Sequence, residues 1–304
     1  MNIQQPLPIT ASERPLEGKV ALVTGSTSGI GFGIARAFAS AGASVVINGL
    51  GKPDEIRETI AALTGETGTK AIYSAADMTK PEEVGEMIDM ALRTFGRLDI
   101  LVNNAGIQHV SPIDQFPVER WDAVLAINLS SAFHTTRLAL PAMRSQRGGR
   151  VINIASAHAL VASPFKAAYV AAKHGIVGLT KVVALETAED NITCNAICPG
   201  YVWTPLVEAQ IDGQAKSHGI PRERVIRDLL LAQQPNKRFA TVDEIGALSV
   251  FLASDAASSP ISSTAAKRLV GCWARSTSRI TSSRGMPCEA AWPSICASTR
   301  GVHT

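Results

Sequence analysis

The sequence predicts an α/β fold in which helices cover both faces of a doubly wound parallel β-sheet, in a single domain. The first observation is the order of the predicted elements along the chain: short apolar runs alternate six times with stretches of helical periodicity over residues 18–257. The second is pattern, because these apolar runs are continuous rather than alternating, which is typical of strands buried on both faces. Right-handed crossovers between parallel strands then place helices on the two faces.

Six continuous apolar runs predict the strands, at 19–25, 44–51, 69–77, 98–106, 149–156 and 191–200. Apolar positions at helical spacing predict the helices between them, at 30–42, 53–66, 80–96, 117–146 and 167–186. Gly42 suits the end of the first helix, and Asp54 and Glu55 suit the positive N-terminus of the second. Pro81 suits the first turn of the third helix, and Pro141 predicts a kink in the fourth.

The chain is less regular after the sixth strand. Residues 202–235 predict two short helices around a flexible segment, Gly213–Gly219, and we interpret this region as a substrate lid. Residues 241–257 predict one more helix, in which Thr241 and the acid three residues later are spaced for a capping box.

The last 47 residues differ from the rest in composition. Residues 258–304 contain 15 Ser or Thr, six Lys or Arg and one acid, without useful helix or strand periodicity. We interpret 1–17 as an N-terminal extension, 18–257 as the main domain and 258–304 as an atypical tail. A shifted reading frame after about residue 257 is our hypothesis for the tail. A divergent extension is the alternative, and resequencing the coding DNA would decide.

Charge and cysteine content exclude several classes of protein. The net charge of +3 comes from the tail, because residues 1–257 carry 23 basic and 25 acidic side chains. The main domain therefore has no basic stripe for a nucleic acid. No C-x-x-C pair and no zinc-like Cys/His spacing occurs, so no metal site is expected. The sequence has no leader pattern and no apolar run of about 20 residues, which predicts a cytoplasmic protein without a membrane span.

A glycine-rich turn, Thr24–Gly31, directly follows the first strand and opens the first helix. Gly25, Gly29 and Gly31 allow a tight turn and a close approach of the backbone to a pyrophosphate, which would lie at the helix N-terminus. In this strand–turn–helix context the pattern predicts a Rossmann-type dinucleotide site. A glycine turn without a ligand is the alternative.

Tyr169 and Lys173 are one helical turn apart, so their side chains should share one face of the helix at 167–186. An ammonium beside a phenol favours the phenolate and lowers the pKa of the phenol. A tyrosine tuned in this way can transfer a proton near neutral pH. A packed tyrosine and a solvated lysine are the alternative, and the context of the pair decides between the two.

Several motifs in a fixed order resemble the short-chain dehydrogenase/reductase family over residues 18–257. They are the glycine turn, "NNAG" at 103–106, Ser156 and the Tyr169–Lys173 pair. The resemblance implies that 18–257 is a dinucleotide-binding catalytic domain of an oxidoreductase. Stretches such as "NNAGIQH", "AAYVAAKHG" and "AICPGYVWTPLVEAQI" are similar to members of the family that interconvert D-3-hydroxybutyrate and acetoacetate.

The resemblance implies four catalytic residues. Tyr169 would be the general acid/base on the substrate hydroxyl, and Lys173 would lower the pKa of Tyr169 and hold the nicotinamide ribose. Ser156 would hydrogen-bond the reacting oxygen, and Asn128 would hold a water that links Lys173 to solvent. The residues alone leave Ser156 open as a simple strand-end serine. Asn128 is a poor helix former within a helical stretch, which indicates a specific role.

The resemblance also implies that the cofactor is NAD. Asp77 would bond the adenine amino group, and residues 104–106 would line the adenosine side. The implied nucleotide contacts are Gly25, Thr27, Ser28, Gly29, Ile30, Gly31, Asp77, Met78, Asn104, Ala105, Gly106, Tyr169, Lys173, Pro199, Gly200 and Val202. NADP is the alternative, because "NGLGK" at 48–52 lacks the acid of many NAD users and Lys52 is a nearby cation. Family members that act on hydroxybutyrate also lack that acid and use NAD.

A short 3-hydroxy acid needs a cation and neutral donors around its carboxylate. The resemblance nominates a substrate set for this purpose: Gln108, Ser156, His158, Lys166, Tyr169 and Gln210. Without the resemblance, Lys166 would be a surface lysine and His158 an ordinary loop histidine.

The sequence departs from the family where a seventh strand is usual. Residues 260–273 lack the family's T-G-x-x-x-x-V-D-G-G pattern, so the seventh strand is doubtful. Its loss would leave a strand edge unpaired and remove contacts typical of the family's homotetramers, the assembly expected if the C-terminus permits it. Two other functions therefore stay open: an NADPH-dependent 3-oxoacyl reductase of the same family, and a non-catalytic or unstable relic.

Overall fold

The computed structural model describes residues 14–232, 234 and 236–257. Its strands are β1 (Val20–Val23), β2 (Ser44–Asn48), β3 (Ala71–Ser74), β4 (Ile100–Asn103), β5 (Gly149–Ile154) and β6 (Ile192–Ile197). Its helices are α1 (Gly29–Ser40), α2 (Pro53–Thr67), α3 (Pro81–Phe95), α4 (Val118–Leu125), α5 (Ser131–Ser145), α6 (Ala167–Glu186), α7 (Pro205–His218), α8 (Arg222–Arg224) and α9 (Val242–Ala253). A π-helical turn, Ala126–Ser130, joins α4 to α5, and a second, Val225–Leu230, follows α8.

The six strands form one parallel sheet in the order β3-β2-β1-β4-β5-β6. Strand order reverses between β1 and β4, the two strands that flank the topological switch point. In open α/β sheets, a ligand binds in the crevice beyond the carboxyl ends of the strands at such a point. The predicted fold class is therefore confirmed, and it places the glycine turn after β1 at this crevice.

Alternate residues of each strand point to opposite faces of the sheet and build two core layers. Val23 and its same-face neighbours pack against Phe38 of α1 and Leu252 of α9. Leu22 and its neighbours pack against Met87 of α3 and Met143 of α5 on the other face. Burial of each such side chain contributes roughly 1.5–3 kcal/mol relative to leaving it exposed. Strands buried on both faces explain why their sequences read as continuous apolar runs.

Two small residues let α1 and α9 pack closely. A Cβ added to Gly33 would lie 2.8 Å from the Cβ of Val242, and one added to Gly246 would lie 2.9 Å from the Cβ of Ala37. The capping box predicted at the start of α9 is confirmed, because the Thr241 side chain accepts from the Glu244 amide and the Glu244 carboxylate accepts from the Thr241 amide.

Several predicted boundaries change. The helix predicted at 117–146 is present as α4, the π turn and α5. The break predicted at Gly213–Gly219 is wrong at its start, because α7 continues through Gly213 and ends at Gly219, where φ is +61°. Leu16 is fully buried and its amide donates to the Ala41 carbonyl, so the folded unit begins before the predicted boundary at residue 18. The doubtful seventh strand lies outside the described residues.

Helix α6, of 20 residues, is long and apolar enough to cross a membrane by length and composition, with a mean hydropathy of 1.2 over an 18-residue window. The sequence did not predict this property of α6. A core helix of a folded domain passes the same test, and α6 packs against β5 and β6. It also carries Tyr169 and Lys173, and 33% of the 18-residue window is buried, while Val182 and Leu185 of the same helix face solvent in the single chain.

Candidate active site

The glycine-rich turn connects β1 to α1 at the carboxyl edge of the sheet. Gly25 and Gly29 have φ values of +60° and +57°, a region that side chains rarely adopt. A Cβ on Gly31 would overlap the backbone carbonyl of Gly25 and the side-chain amide of Asn104. The glycines are therefore required by the backbone of the turn itself, before any ligand is considered.

Asn48, at the end of β2, braces this turn. Its side-chain oxygen accepts from the Gly25 amide at 3.1 Å, and its side-chain nitrogen donates to the carbonyls of Ser74 at 3.2 Å and Ala76 at 3.0 Å. Asn48 is fully buried. One amide side chain thus joins the ends of β1, β2 and β3.

Asn104, after β4, braces the turn from the other side. Its side-chain nitrogen donates to the carbonyls of Thr24 and Gly25, both at 2.9 Å. The Thr24 hydroxyl in turn accepts from the amides of Asn104 and Ala105 at 3.0 Å. This network uses both asparagines to shape the turn, and it assigns Asn104 a bracing role that the sequence did not predict.

The first turn of α1 suits a bound anion. Its N-cap residue, Ser28, makes no side-chain cap hydrogen bond, and no acidic residue lies in the first turn. Helices α2 and α3, by contrast, carry acids in their first turns. Amides at a helix N-terminus without a protein partner, together with the helix dipole, favour a phosphate. The residues present therefore fit a dinucleotide.

A cleft of about 500 Å³ runs from this turn to Tyr169 and Lys173. Fourteen of the sixteen predicted nucleotide residues line it: Gly25, Ser28, Gly29, Ile30, Gly31, Asp77, Met78, Asn104, Ala105, Gly106, Tyr169, Lys173, Pro199 and Gly200. Thr27 and Val202 do not, because the Thr27 hydroxyl faces the Leu50 carbonyl and Val202 bridges to Ala240. The cleft also contains residues that were not predicted, including Asn48, Gly49, Leu50 and Thr204.

Tyr169 and Lys173 lie on the same side of α6, as predicted. The Lys173 Nζ is 5.7 Å from the centroid of the Tyr169 ring and donates to the Ile154 carbonyl at 2.8 Å. Lys173 is only 4% exposed, and burial lowers its pKa to about 8, while the nearby Cys198 thiol opposes this shift. The ammonium thus lies over the face of the aromatic ring, where its hydrogen bond to the Ile154 carbonyl holds it.

The prediction that the pKa of Tyr169 is lowered is wrong. Burial raises the pKa of Tyr169, and a hydrogen bond with the Ser156 side chain opposes that rise. The reason is geometric, because the Lys173 ammonium lies over the ring and donates to Ile154 rather than to the phenol oxygen. Desolvation therefore decides the direction of the shift, and the hydrogen bond with Ser156, rather than the Lys173 charge, opposes it.

Ser156 follows β5 and begins a 3-10 turn, Ala157–Ala159, where its hydroxyl accepts from the His158 amide at 3.2 Å. Asn128 lies in the π turn between α4 and α5. Its side chain accepts from the Ile107 amide at 2.8 Å and donates to the Ile107 carbonyl at 2.9 Å. Asn128 therefore fixes the backbone of Ile107, in the segment after β4. It lines neither the cleft nor the second cavity described next.

A second cavity, of about 380 Å³, adjoins the cleft at Ser156 and Tyr169. All six residues predicted to bind substrate line it: Gln108, Ser156, His158, Lys166, Tyr169 and Gln210. We call it the substrate pocket. Its other walls include Tyr201, Leu229, Leu230 and Gln234, which were not predicted as substrate contacts; Tyr201 lies in a stretch that resembles the family, and the other three belong to no quoted motif.

The substrate pocket contains one cation and one neutral imidazole. Lys166 is half-buried, burial lowers the pKa of its amine, and no carboxylate of the described residues lies within 4.0 Å. Burial and then the Lys166 charge lower the pKa of His158 to about 4, so this imidazole is neutral at pH 7. The His158 ring stands edge-on to Tyr169 with centroids 6.2 Å apart. The pocket can therefore take an anionic group near the phenol.

Helix α7 and the π turn Val225–Leu230 close one side of the substrate pocket, through Val207 and Gln210 of the helix and Leu229 and Leu230 of the turn. Ile211, Val225 and Leu230 form a small core of their own, against which Tyr201 and Phe239 pack. In addition, the Gln234 side-chain oxygen accepts from the Tyr201 amide at 3.1 Å. Within the described part of the chain, no group of three or more His, Cys, Asp or Glu is arranged to hold a metal ion.

Comparison with known proteins agrees with this geometry. A family model described as short chain dehydrogenase matches residues 19–215. D-beta-hydroxybutyrate dehydrogenase of Rhizobium meliloti (strain 1021) is 57% identical over 237 residues, 78% of this chain and 92% of that protein. The protein of the same name from Cupriavidus necator is 59% identical over 242 residues, 80% of this chain and 93% of that protein.

A solved structure also resembles this one. The crystal structure of L-sorbose reductase from Gluconobacter frateurii, complexed with NADPH and L-sorbose, superposes with a TM-score of 0.77 at 32% identity. The match covers 81% of this chain and 94% of that chain.

Proposed function

Since this chain belongs to the short-chain dehydrogenase family, we propose that it interconverts D-3-hydroxybutyrate and acetoacetate with NAD as its nucleotide. The observation that carries the proposal is Lys166, a half-buried ammonium without a carboxylate partner among the described residues, which lines the same pocket as Tyr169. A carboxylate is the partner such a group favours, since charge-assisted hydrogen bonds are stronger than neutral ones. The two relatives named for hydroxybutyrate support the same substrate.

The reaction needs a proton acceptor beside the substrate hydroxyl. Tyr169 accepts that proton as the alcohol becomes a ketone, and returns it in the reverse direction. Ser156 hydrogen-bonds the reacting oxygen, and Lys166, Gln108, His158 and Gln210 hold the carboxylate end. Bound NAD supplies the acceptor for the hydride that leaves the carbon.

Lys173 and Asn128 support the proton transfer by Tyr169. Lys173 is protonated at neutral pH, since its pKa is about 8, and its positive charge favours the phenolate. It would also hold the nicotinamide ribose. The Asn128 side chain holds Ile107, and we propose that it also binds a water that links Lys173 to solvent.

The nucleotide choice rests on the residues after β2. Lys52 is the nearby cation, but its ammonium pairs with Glu55 at 2.8 Å. Gly49 and Leu50 line the cleft without offering charge. A 2′-phosphate would therefore meet one exposed lysine whose charge is already opposed by a carboxylate, which favours NAD over NADP. Rates with the two nucleotides at equal concentration test this point.

We further propose a homotetramer in the cytoplasm. Phe133 of α5 and Val182 and Leu185 of α6 are large apolar side chains that face solvent in the single chain, and Leu185 is 81% exposed. An exposed apolar face of this kind supports association. Free thiols at Cys194 and Cys198 suit a reducing compartment. Light scattering of the purified full-length chain tests the assembly.

The deciding experiment measures absorbance of reduced nicotinamide with full-length protein, NAD and D-3-hydroxybutyrate. Turnover that falls about 10²–10⁴-fold in Tyr169→Phe, with unchanged thermal unfolding, supports the proposal. Absence of turnover in the folded wild type refutes it. Faster reduction of a 3-oxoacyl thioester with NADPH would instead favour the reductase alternative.

A further inference from the structure

Phe165 has an unusual backbone conformation beside the substrate pocket. Its φ is +65°, in the left-handed region where a bulky residue is a genuine outlier. Its ring is 56% exposed, so packing of the ring offers little compensation. Its two chain neighbours, Pro164 and Lys166, both line the substrate pocket.

Two hydrogen bonds surround this residue. The Ser111 amide donates to the Phe165 carbonyl at 2.9 Å, and the Val170 amide donates to the Lys166 carbonyl at 2.9 Å in the first turn of α6. Ser111 lies three residues after Gln108, which lines both cavities. The Phe165 carbonyl therefore joins the segment that carries Gln108 to the segment that carries Lys166.

A strained conformation persists only where its surroundings over-determine it, and such positions cluster at functional sites. Resting on the proposed function, we propose that the left-handed backbone of Phe165, and not its ring, is a positioning device for substrate binding. It turns the chain so that its carbonyl reaches Ser111 while the next side chain, Lys166, points into the pocket. The two predicted carboxylate-binding groups, Gln108 and Lys166, are thereby held across one pocket.

The test separates the backbone of residue 165 from its side chain. Phe165→Gly and Phe165→Asn remove the ring but adopt the left-handed region readily, whereas β-branched Phe165→Val does not. We expect KM for D-3-hydroxybutyrate within about twofold of wild type for the first two variants and about tenfold higher for Phe165→Val. The kcat of all three variants and their KM for NAD should change by less than about twofold.

A second measurement needs no turnover. Acetylation of Lys166 by acetic anhydride, followed by mass spectrometry of its peptide, reports how well the amine is shielded. We expect wild-type labelling rates in Phe165→Gly and Phe165→Asn and a severalfold faster rate in Phe165→Val. The exposed Lys70 serves as the internal reference for reagent and fold.

The outcomes are distinct. Equal KM and equal labelling across the four proteins, or a loss in the Gly and Asn variants as large as in the Val variant, overturns the positioning role. An inactive but folded wild type refutes the proposed function alone, because the labelling rates still decide on the backbone of residue 165.

Discussion

The nucleotide cleft and the substrate pocket share Tyr169 and Ser156 but are built in different ways. The cleft is shaped by backbone and by side-chain amides, above all those of the buried Asn48 and the half-buried Asn104. The substrate pocket is shaped by side chains from loops, from α7 and from the π turn Val225–Leu230, and the buried core of these two elements is Ile211, Val225 and Leu230. The shape of the nucleotide cleft depends on the conformations that the backbone can adopt. The shape of the substrate pocket depends on which side chains the fold brings together.

A larger Gly31 tests the backbone-built region and should have the largest effect on the whole protein. In Gly31→Ala the new methyl would overlap the Gly25 carbonyl and the Asn104 amide, and neither can move without opening the turn. Overpacking of this kind costs about 1–3 kcal/mol of unfolding free energy. We expect lower thermal stability and weaker NAD binding together, measured by unfolding scans and by nucleotide titration.

Gly65→Ala is the matched control for that variant. A Cβ at Gly65, in α2, has no neighbour within 4 Å, so the change should stabilise slightly, by about 0.5–1 kcal/mol. Equal behaviour of the two variants would show that the turn has more room than its contacts indicate.

Removal of the pocket cation tests the side-chain-built region. Lys166→Ala loses a charge-assisted contact worth about 1.5–3 kcal/mol, so KM for D-3-hydroxybutyrate should rise about 10–100-fold. Stability and KM for NAD should stay near wild type, because Lys166 makes no ion pair with the described carboxylates. Lys70→Ala, at an exposed position, controls for loss of a charge. Unchanged kinetics in Lys166→Ala would show that Lys166 does not bind the substrate, and would weaken the contrast between the two regions.

Lys173 lies where the two regions meet, and its burial predicts a smaller effect that depends on pH. Burial lowers the pKa of this amine from 10.5 to about 8. Below pH 8 both the folded and the unfolded chain carry the charge, so the cost of burying it is fully present. Between pH 8 and 10.5 the unfolded chain binds more protons than the folded chain, so stability rises with pH.

Lys173→Met should therefore be inactive yet more stable than wild type at pH 7, by about 1–2 kcal/mol, since the lost bond to the Ile154 carbonyl offsets part of the gain. The difference should shrink between pH 8 and 10.5, as measured by denaturant unfolding at each pH. A difference that is independent of pH would mean that the amine titrates at its ordinary value.

The contrast between the regions also explains what could be predicted from the sequence. The glycine turn, the Tyr169–Lys173 pair and the strand pattern are local, so spacing alone located them. Lys166 and His158 carry no distinguishing spacing, and only likeness to a family selected them. The side-chain contacts of Asn48 with Gly25, Ser74 and Ala76 and that of Gln234 with Tyr201 join segments 23 or more residues apart, which no local pattern reveals.

Two physical properties escaped the sequence altogether. The direction of the Tyr169 pKa depends on how deeply α6 is buried and on where the Lys173 amine points, and spacing gives neither. The course of α7 through Gly213 accompanies packing of Ile211 against Val225 and Leu230, and such packing offsets the weak helix preference of glycine.

The hydrogen bonds of Asn48 restrict how nucleotide preference can evolve in this chain. An aspartate at position 48 would keep the acceptor for Gly25 but would lose the donor that serves Ser74 and Ala76, and it would place two carbonyl oxygens against a carboxylate. A lineage or a protein engineer seeking another nucleotide preference is therefore directed to the neighbouring position 50, which lies open to solvent and can change without loosening three strands.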